Sequence, residues 1–343
     1  AAAVGTGVVR SGVLSSSIGT SGVLFAHSDA ITLDPLGRLH SFCHAVPGQY
    51  HLMAVTLSAG GAFQWFRNLV QLAACSLQLA GGASDSQSAI YNLQFDDLIA
   101  LATPVAPGAE GLLFLPYLSG ERTPHLDPLA RGAFVGLTTR HTLGHMARAV
   151  MEGVVFALRD GLEIMRELGV PIDEIRATGG GGKSALWRQL QADIYRTPLF
   201  TLAAEEGPAY GAALLAGVGT GVYADVQQAV TSGVRVVDTT EPNAEAAQRY
   251  DEIYSIYRTV YSQLRGTMHR LAALGGGFRI QNSEFRRSEI TTIHSAPRVG
   301  AKHRPPDPSV IAYDPWRMLR PVYDPSPCLL SPRGYDEIDI SSN

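Results

Sequence analysis

The 343-residue chain is 45% hydrophobic and 17% charged, with 36 glycines and a formal charge of −4. That composition excludes a disordered chain and supplies a core for one large domain or two ordinary ones. The slight acidity gives no electrostatic footing for nucleic acid or an anionic membrane as partner, and no apolar run reaches the roughly 18 residues of a membrane span.

No signal peptide is visible. Cys43, Cys75 and Cys328 lie far apart, with neither metal spacing nor a CxxC pair, which places the chain in a reduced, cytoplasmic compartment. Ala1-Ala2-Ala3-Val4 reads as the middle of a helix, so the sequence is expected to begin inside a larger protein.

Four β-prone runs come first: Gly12–Ile18, Gly22–Ala26 after the turn Gly19-Thr20-Ser21, Leu39–Ala45 and Tyr50–Leu57. They predict an antiparallel meander. Ser58–Ala80 turns helical, with Phe63, Phe66, Leu69 or Val70 and Ala73 on one face, and Phe95–Ala102 is a second short helix. In Thr142–Leu168, Leu143, Ala147, Val150, Val154, Ala157, Gly161, Ile164 and Leu168 recur at helical spacing. Thr142 is the N-cap, and Gly169 with Pro171 is the stop. Strand Ile175–Thr178, helix Lys183–Tyr195, strand Leu199–Ala203 and helix Pro208–Ala216 follow, then a long helix over Glu245–Leu274. Strands followed by strand–helix repeats predict an α/β layered domain. The stripe of Tyr250, Tyr254, Tyr257 and Tyr261 on the last helix is a packing face, expected to be exposed apolar surface in this chain by itself.

After Gly275 the pattern changes. Nine of the 20 prolines fall in the last 69 residues, and hydrophobic periodicity vanishes. Residues Gly275–Asn343 are read as a disordered extension, or as translation past a frameshift; composition does not separate the two.

Three glycine-rich turns carry the functional signal. In "ATGGGGKSALW", Gly182-Lys183-Ser184 matches the end of a P-loop, but Ala177 stands where its first glycine is required. A dinucleotide fingerprint fails too, since Ala185 occupies the place of the third glycine. What remains is a strand, a glycine turn and a helix start, which can hold a phosphate or a ribose–adenine edge or be a tight turn only. Ser17–Gly22 and Ser58–Ala62 are two more such turns. Together they suggest one nucleotide held by several loops.

These residues resemble the C-terminal half of FGGY-family carbohydrate kinases, within the actin-like (ribonuclease H-like) ATPase superfamily. "GAFVGLTTRHTLGHMARAVMEG" (Gly132–Gly153) is similar to the family's C-terminal signature, "SSSIGTSGVLF" to its phosphate hairpin and "ATGGGGKSALWRQLQADIYRTPL" to its adenosine-binding stretch. "FLPYLSGERTPHLDP" and "HSFCHAVPGQYHLM" look most like its xylulokinase branch. The resemblance covers about Ala1–Leu274 and implies a mixed sheet with flanking helices. It implies transfer from ATP–Mg²⁺ to a pentulose, D-xylulose first, with ribulose, gluconate or glycerol as alternatives. A non-catalytic actin-like ATP-binding protein is a further alternative.

By the resemblance Gly19 and Thr20 meet the terminal phosphates, Gly60 and Gln64 form a second phosphate-side loop, and Gly180 and Ser184 line the adenosine. Lys183 is a ligand contact or a solvated lysine. The family's catalytic aspartate lies in a "GGGDN"-type stretch just before the segment that aligns with Ala1–Gly5. No catalytic base is therefore assigned; Asp29, Asp34, Asp127 and Asp193 do not match that position. The chain is expected to be inactive by itself, with the pentulose bound mostly by an N-terminal domain. A homodimer is the assembly the family suggests. His40, His44 and His51 could form a metal triad, but strand alternation points them apart, and no metal site is assigned. Glu121 and Arg122 form a cleft loop or a surface ion pair.

Overall fold

A computed structural model describes residues 1–79, 93–204 and 206–275. The extension expected over Gly275–Asn343 lies, but for Gly275, outside the described residues. At the centre is a seven-stranded mixed sheet of order β3-β4-β2-β1-β7-β8-β9. Its strands are β1 (Gly12–Ile18), β2 (Gly22–Ser28), β3 (His40–Cys43), β4 (Tyr50–Thr56), β7 (Ile172–Gly179), β8 (Leu199–Leu202) and β9 (Val236–Thr240). β1, β7 and β8 run parallel; the other pairings are antiparallel. β5 (Leu113–Leu115) and β6 (Ala133–Val135) form a separate two-stranded ribbon.

The opening strands do not form the simple meander read from sequence. β2 pairs with β4, and β3 lies outside β4 at the edge. β4 matches β2 in length and buries Leu52, Ala54 and Thr56, whereas four-residue β3 is half exposed. The long, alternating strand takes the inner place, and the short one takes the edge.

The helices are α1 (Ala2–Gly5), α2 (Gly60–Leu79), α3 (Phe95–Ala102), α4 (Leu143–Glu167), α5 (Gly180–Lys183), α6 (Ala185–Tyr195), α7 (Gly207–Gly219), α8 (Val226–Gly233) and α9 (Ala244–Leu274). α4 is the spine of the main core. Its Gly161 sits so close to β4 that a Cβ there would lie 2.5 Å from the Ala54 Cβ. At its start the Thr142 hydroxyl and the His145 ring are 2.8 Å apart, and the His145 Nδ1 accepts from the Thr142 N–H. On the opposite face of the sheet Val13 and Phe25 pack with Ala3 and Val8.

The tyrosine stripe of α9 packs as expected, but it is not exposed. Tyr250, Tyr254, Tyr257 and Tyr261 are buried, with Phe156 of α4 5.2 Å from the Tyr257 ring. The helix expected from Lys183 begins later. Ser184 is extended and breaks the turn Gly180–Lys183 from α6, whose N-cap it forms. Helix α8 and strand β9 were not legible. Exposed β9 carries no alternation of apolar residues, and α8 is a single short helix capped by the Asp225 carboxylate on the Gln228 N–H at 2.7 Å. No helix among the described residues is long and apolar enough to cross a membrane.

Candidate functional site

Strands β1, β4 and β7 point the same way, so their C-terminal ends reach one edge of the sheet. Each is followed by one of the three glycine turns. Ligands of open α/β sheets bind at this kind of edge.

The first two turns interlock. The N–H groups of Ala59 and Gly61 donate to the Thr20 carbonyl at 2.9 and 3.0 Å, and Gly60 N–H donates to the Gly19 carbonyl at 2.8 Å. The Ser21 hydroxyl donates to the Leu57 carbonyl at 3.2 Å. Gly60 is thus glycine for packing, since a Cβ there would lie 2.5 Å from the Gly19 oxygen. The bare N–H groups expected at the start of α2 are occupied by the hairpin, because unpaired helix-start donors take the nearest acceptor. The third turn lies beside the first, with Gly179 opposite Ile18 in register. Gly179 has φ +71°, and Gly181 sits against the Ile18 side chain, where a Cβ would lie 2.6 Å from the Ile18 Cβ. Gly19 and Gly180 differ: for each, the nearest atom to an added Cβ is 3.8 Å away. Their backbone faces open space.

That space is a cavity of about 380 Å³, and Gly19, Thr20, Gly60, Gln64, Gly180 and Ser184 all line it. Its apolar wall comes from Phe63, Phe95, Ile99 and Trp187. Phe63 stacks with Phe95 at 5.9 Å and meets Trp187 edge-on at 5.8 Å. Asp96 and Lys183 are its charged lining residues. A wall of aromatic rings beside bare turns suits a ligand that is flat and apolar at one end and polar at the other. The Ser184 hydroxyl accepts from the Trp187 N–H at 3.5 Å, so it caps α6 as well as lining the cavity. The wall from α3 was missed in sequence. Phe95 opens a helix and gives no motif, and only its 38% exposure beside a cavity marks it.

The four acids weighed as bases lie away from this lining. Asp34 is held below the usual carboxylate range by the Arg38 side chain. Burial pushes Asp127 up, but donors including Tyr261 and His269 outweigh it and leave its carboxyl low. Burial raises Asp193, which accepts from Gln189 and from the Asn243 N–H. Asp29 is exposed, 3.9 Å from His27. The His44 and His51 rings are 6.0 Å apart, while His40 stacks on Phe42. Among the described residues no group of three or more His, Cys, Asp or Glu could hold a metal ion. Glu121 is not part of a surface ion pair: it is buried, whereas Arg122 is exposed.

A second cavity of about 140 Å³ lies among α4, α9 and the loop around His125. It is too small for a nucleotide.

Residues 14–220 match the model of the C-terminal domain of the FGGY family of carbohydrate kinases. A xylulose kinase of Staphylococcus epidermidis is 38% identical over 263 residues, 77% of this chain and 49% of that protein. A gluconokinase of Bacillus subtilis is 30% identical over 256 residues, 74% of this chain and 48% of that protein. Among solved structures, ligand-bound xylulose kinase from Lactobacillus acidophilus superposes with a TM-score of 0.68 at 28% identity, covering 79% of this chain and 51% of that one. The chain spans about half the length of the curated relatives it matches.

Proposed function

The chain belongs to the FGGY family of carbohydrate kinases, and from that premise we propose that it is the nucleotide-binding half of a pentulose kinase acting on D-xylulose. The fold is the actin-like ATPase fold of those kinases. The observation that carries the reading is one cavity lined by all six residues assigned to the nucleotide. In this reading the adenine lies against Phe63, Phe95 and Trp187, Gly180 and Ser184 border the ribose, and the phosphates face Gly19, Thr20 and Gln64.

ATP supplies the phosphoryl group, and Mg²⁺ neutralises charge on its phosphates. Mg²⁺ keeps several waters and needs few protein carboxylates, so it comes with the nucleotide rather than to a protein cage. The chain's own part is positioning. Backbone without a Cβ lets phosphates come close, and interlocked turns keep them in line. Transfer to the sugar belongs to the whole protein, whose other half this chain does not span.

Xylulose is favoured over gluconate by the greater identity to the xylulose kinase. The test is ADP release by the purified chain with ATP–Mg²⁺ and each sugar, beside a version carrying the N-terminal half of such a kinase. Xylulose-dependent release is expected from the longer protein and none from the chain by itself. Sugar-dependent release by the chain alone, or gluconate preferred by the longer protein, would overturn the respective part.

A further inference from the structure

Glu121 lies in the loop after β5, outside the nucleotide cavity, and is 2% exposed. Its carboxylate takes three donors. Oε1 accepts from the Leu57 N–H at 3.0 Å and from its neighbour Arg122 N–H at 2.7 Å, and Oε2 accepts from the Thr56 hydroxyl at 3.0 Å. Thr56 is the last residue of β4, and Leu57 starts the crossing that delivers Gly60. The Leu57 carbonyl in turn accepts from Ser21, in the hairpin turn. One carboxylate therefore anchors the end of β4, from which the Ser58–Gly61 turn hangs and to whose crossing the hairpin turn between β1 and β2 is hydrogen-bonded.

The loop that presents it is fixed independently. Glu121 and Asp127 exchange two backbone hydrogen bonds of 2.9 Å each. Thr123 donates its N–H to the Val55 carbonyl at 3.0 Å and its hydroxyl to the Arg38 carbonyl at 2.8 Å, and its hydroxyl oxygen accepts from the Val55 N–H at 3.2 Å. Among the described residues no ion pair to Glu121 is formed. Burying a carboxylate without a cation is costly. A filler residue would pack there without that cost but could not gather three donors at one strand end.

We propose that Glu121 is a positioning residue for the phosphate end of the nucleotide site, setting the Ser58–Gly61 turn against the Gly19–Ser21 turn. The inference rests on the nucleotide reading above. It differs from a general structural role in one respect: most of the base end of the cavity, Phe95 and Ile99 on α3 and Trp187 on α6, does not hang from β4, and Phe63 of α2 alone among these side chains follows it. Losing Glu121 should weaken binding of a nucleoside diphosphate far more than binding of the nucleoside.

The test is calorimetric titration of ADP–Mg²⁺ and, separately, adenosine into the full chain and three variants. Wild type should bind both. Glu121→Ala should bind ADP about tenfold more weakly, the equivalent of one or two lost hydrogen bonds, with adenosine affinity changed by less than about twofold. Glu121→Gln should restore ADP affinity, because its carbonyl keeps the two N–H donors and the Thr56 hydroxyl can turn to accept from the amide. Ser21→Ala, which removes the link to Leu57 and disturbs no core residue, should give about a threefold loss for ADP only. If Glu121→Ala does not fold, Ser21→Ala decides. Equal losses for ADP and adenosine, no loss in either, or a Gln variant as weak as the Ala variant would overturn the proposal. A folded wild type that binds neither ligand would instead sink the nucleotide reading, and this inference with it.

Discussion

The cavity edge and the seam between α4 and α9 are built on opposite plans. The seam holds several polar groups whose proton affinities are strongly shifted by burial. Tyr250 donates to Glu152 at 2.7 Å, Tyr254 to Asp160 at 2.6 Å, and Arg148 bonds both Glu152 and Tyr250. Burial raises Glu152, and it pushes Asp160 up to about 7. The cavity edge is glycines, small hydroxyls and aromatic rings. Perturbed titration often marks an active site, but structural networks produce it as well. Here it marks buried supports, the packing seam and also Glu121 behind the turns, which burial pushes up to about 8, while the lining of the proposed site is marked by bare backbone and open volume. The proposed phosphoryl transfer fits the second plan, since it asks for placement more than for proton chemistry.

The contrast breaks if seam variants lose binding before stability, or if cavity variants do the reverse. The largest effect is expected from Arg148→Met. It leaves Glu152 buried without its cation, which should cost about 3–5 kcal/mol in chemical denaturation of the full chain. Next is Gly60→Ala, whose Cβ would meet the Gly19 oxygen at 2.5 Å. It should lower stability by about 1–3 kcal/mol and weaken ADP as well, because turn packing and site geometry coincide there.

Asp160 gives a pH test. Its folded pKa of about 7 lies above its ordinary 3.8, so the folded state holds the proton more tightly. The stabilisation is full below pH 3.8 and is lost as pH rises through 7. Urea denaturation at pH 5 and pH 8 should show that loss, and Asp160→Asn, which still accepts from Tyr254, should flatten it by roughly 1–2 kcal/mol. A variant as pH-dependent as wild type would contradict it. The smallest effect on stability is expected from Phe95→Ala, since that ring is partly exposed. Adenosine should bind about fivefold more weakly, read by calorimetry, with the thermal midpoint nearly unchanged.

Much of this plan was legible. The spacing in Thr142–Leu168 gave the spine helix because one face of α4 is apolar over seven turns. That the six residues expected at the nucleotide line one cavity follows from turns being local: Gly19, Gly60 and Gly180 each stand in a turn that follows a strand. What could not be read was how each glycine is used. Gly60 and Gly180 look alike in sequence, yet one is pressed against the hairpin and the other faces the cavity. The place of β3 was hidden for a related reason, since pairing depends on competition among strands rather than on any one strand's propensity. Glu121 was open to two readings with its neighbour Arg122, a cleft loop or a surface pair. Its partners are the Arg122 backbone and, more than sixty residues earlier, Thr56 and Leu57. Phe95 and Asp96 joined the cavity from a helix that no motif marks.

The most direct measurement is calorimetric titration of ADP–Mg²⁺ into the full chain and a Gly180→Val variant. The added side chain meets no atom closer than 3.8 Å at its Cβ, so it should fill the cavity without straining the turn. Saturable binding by wild type, abolished in a variant with the same thermal midpoint, is the result expected if this cavity holds the nucleotide. A folded wild type that takes up no ADP, or a variant that binds it equally well, would contradict the assignment.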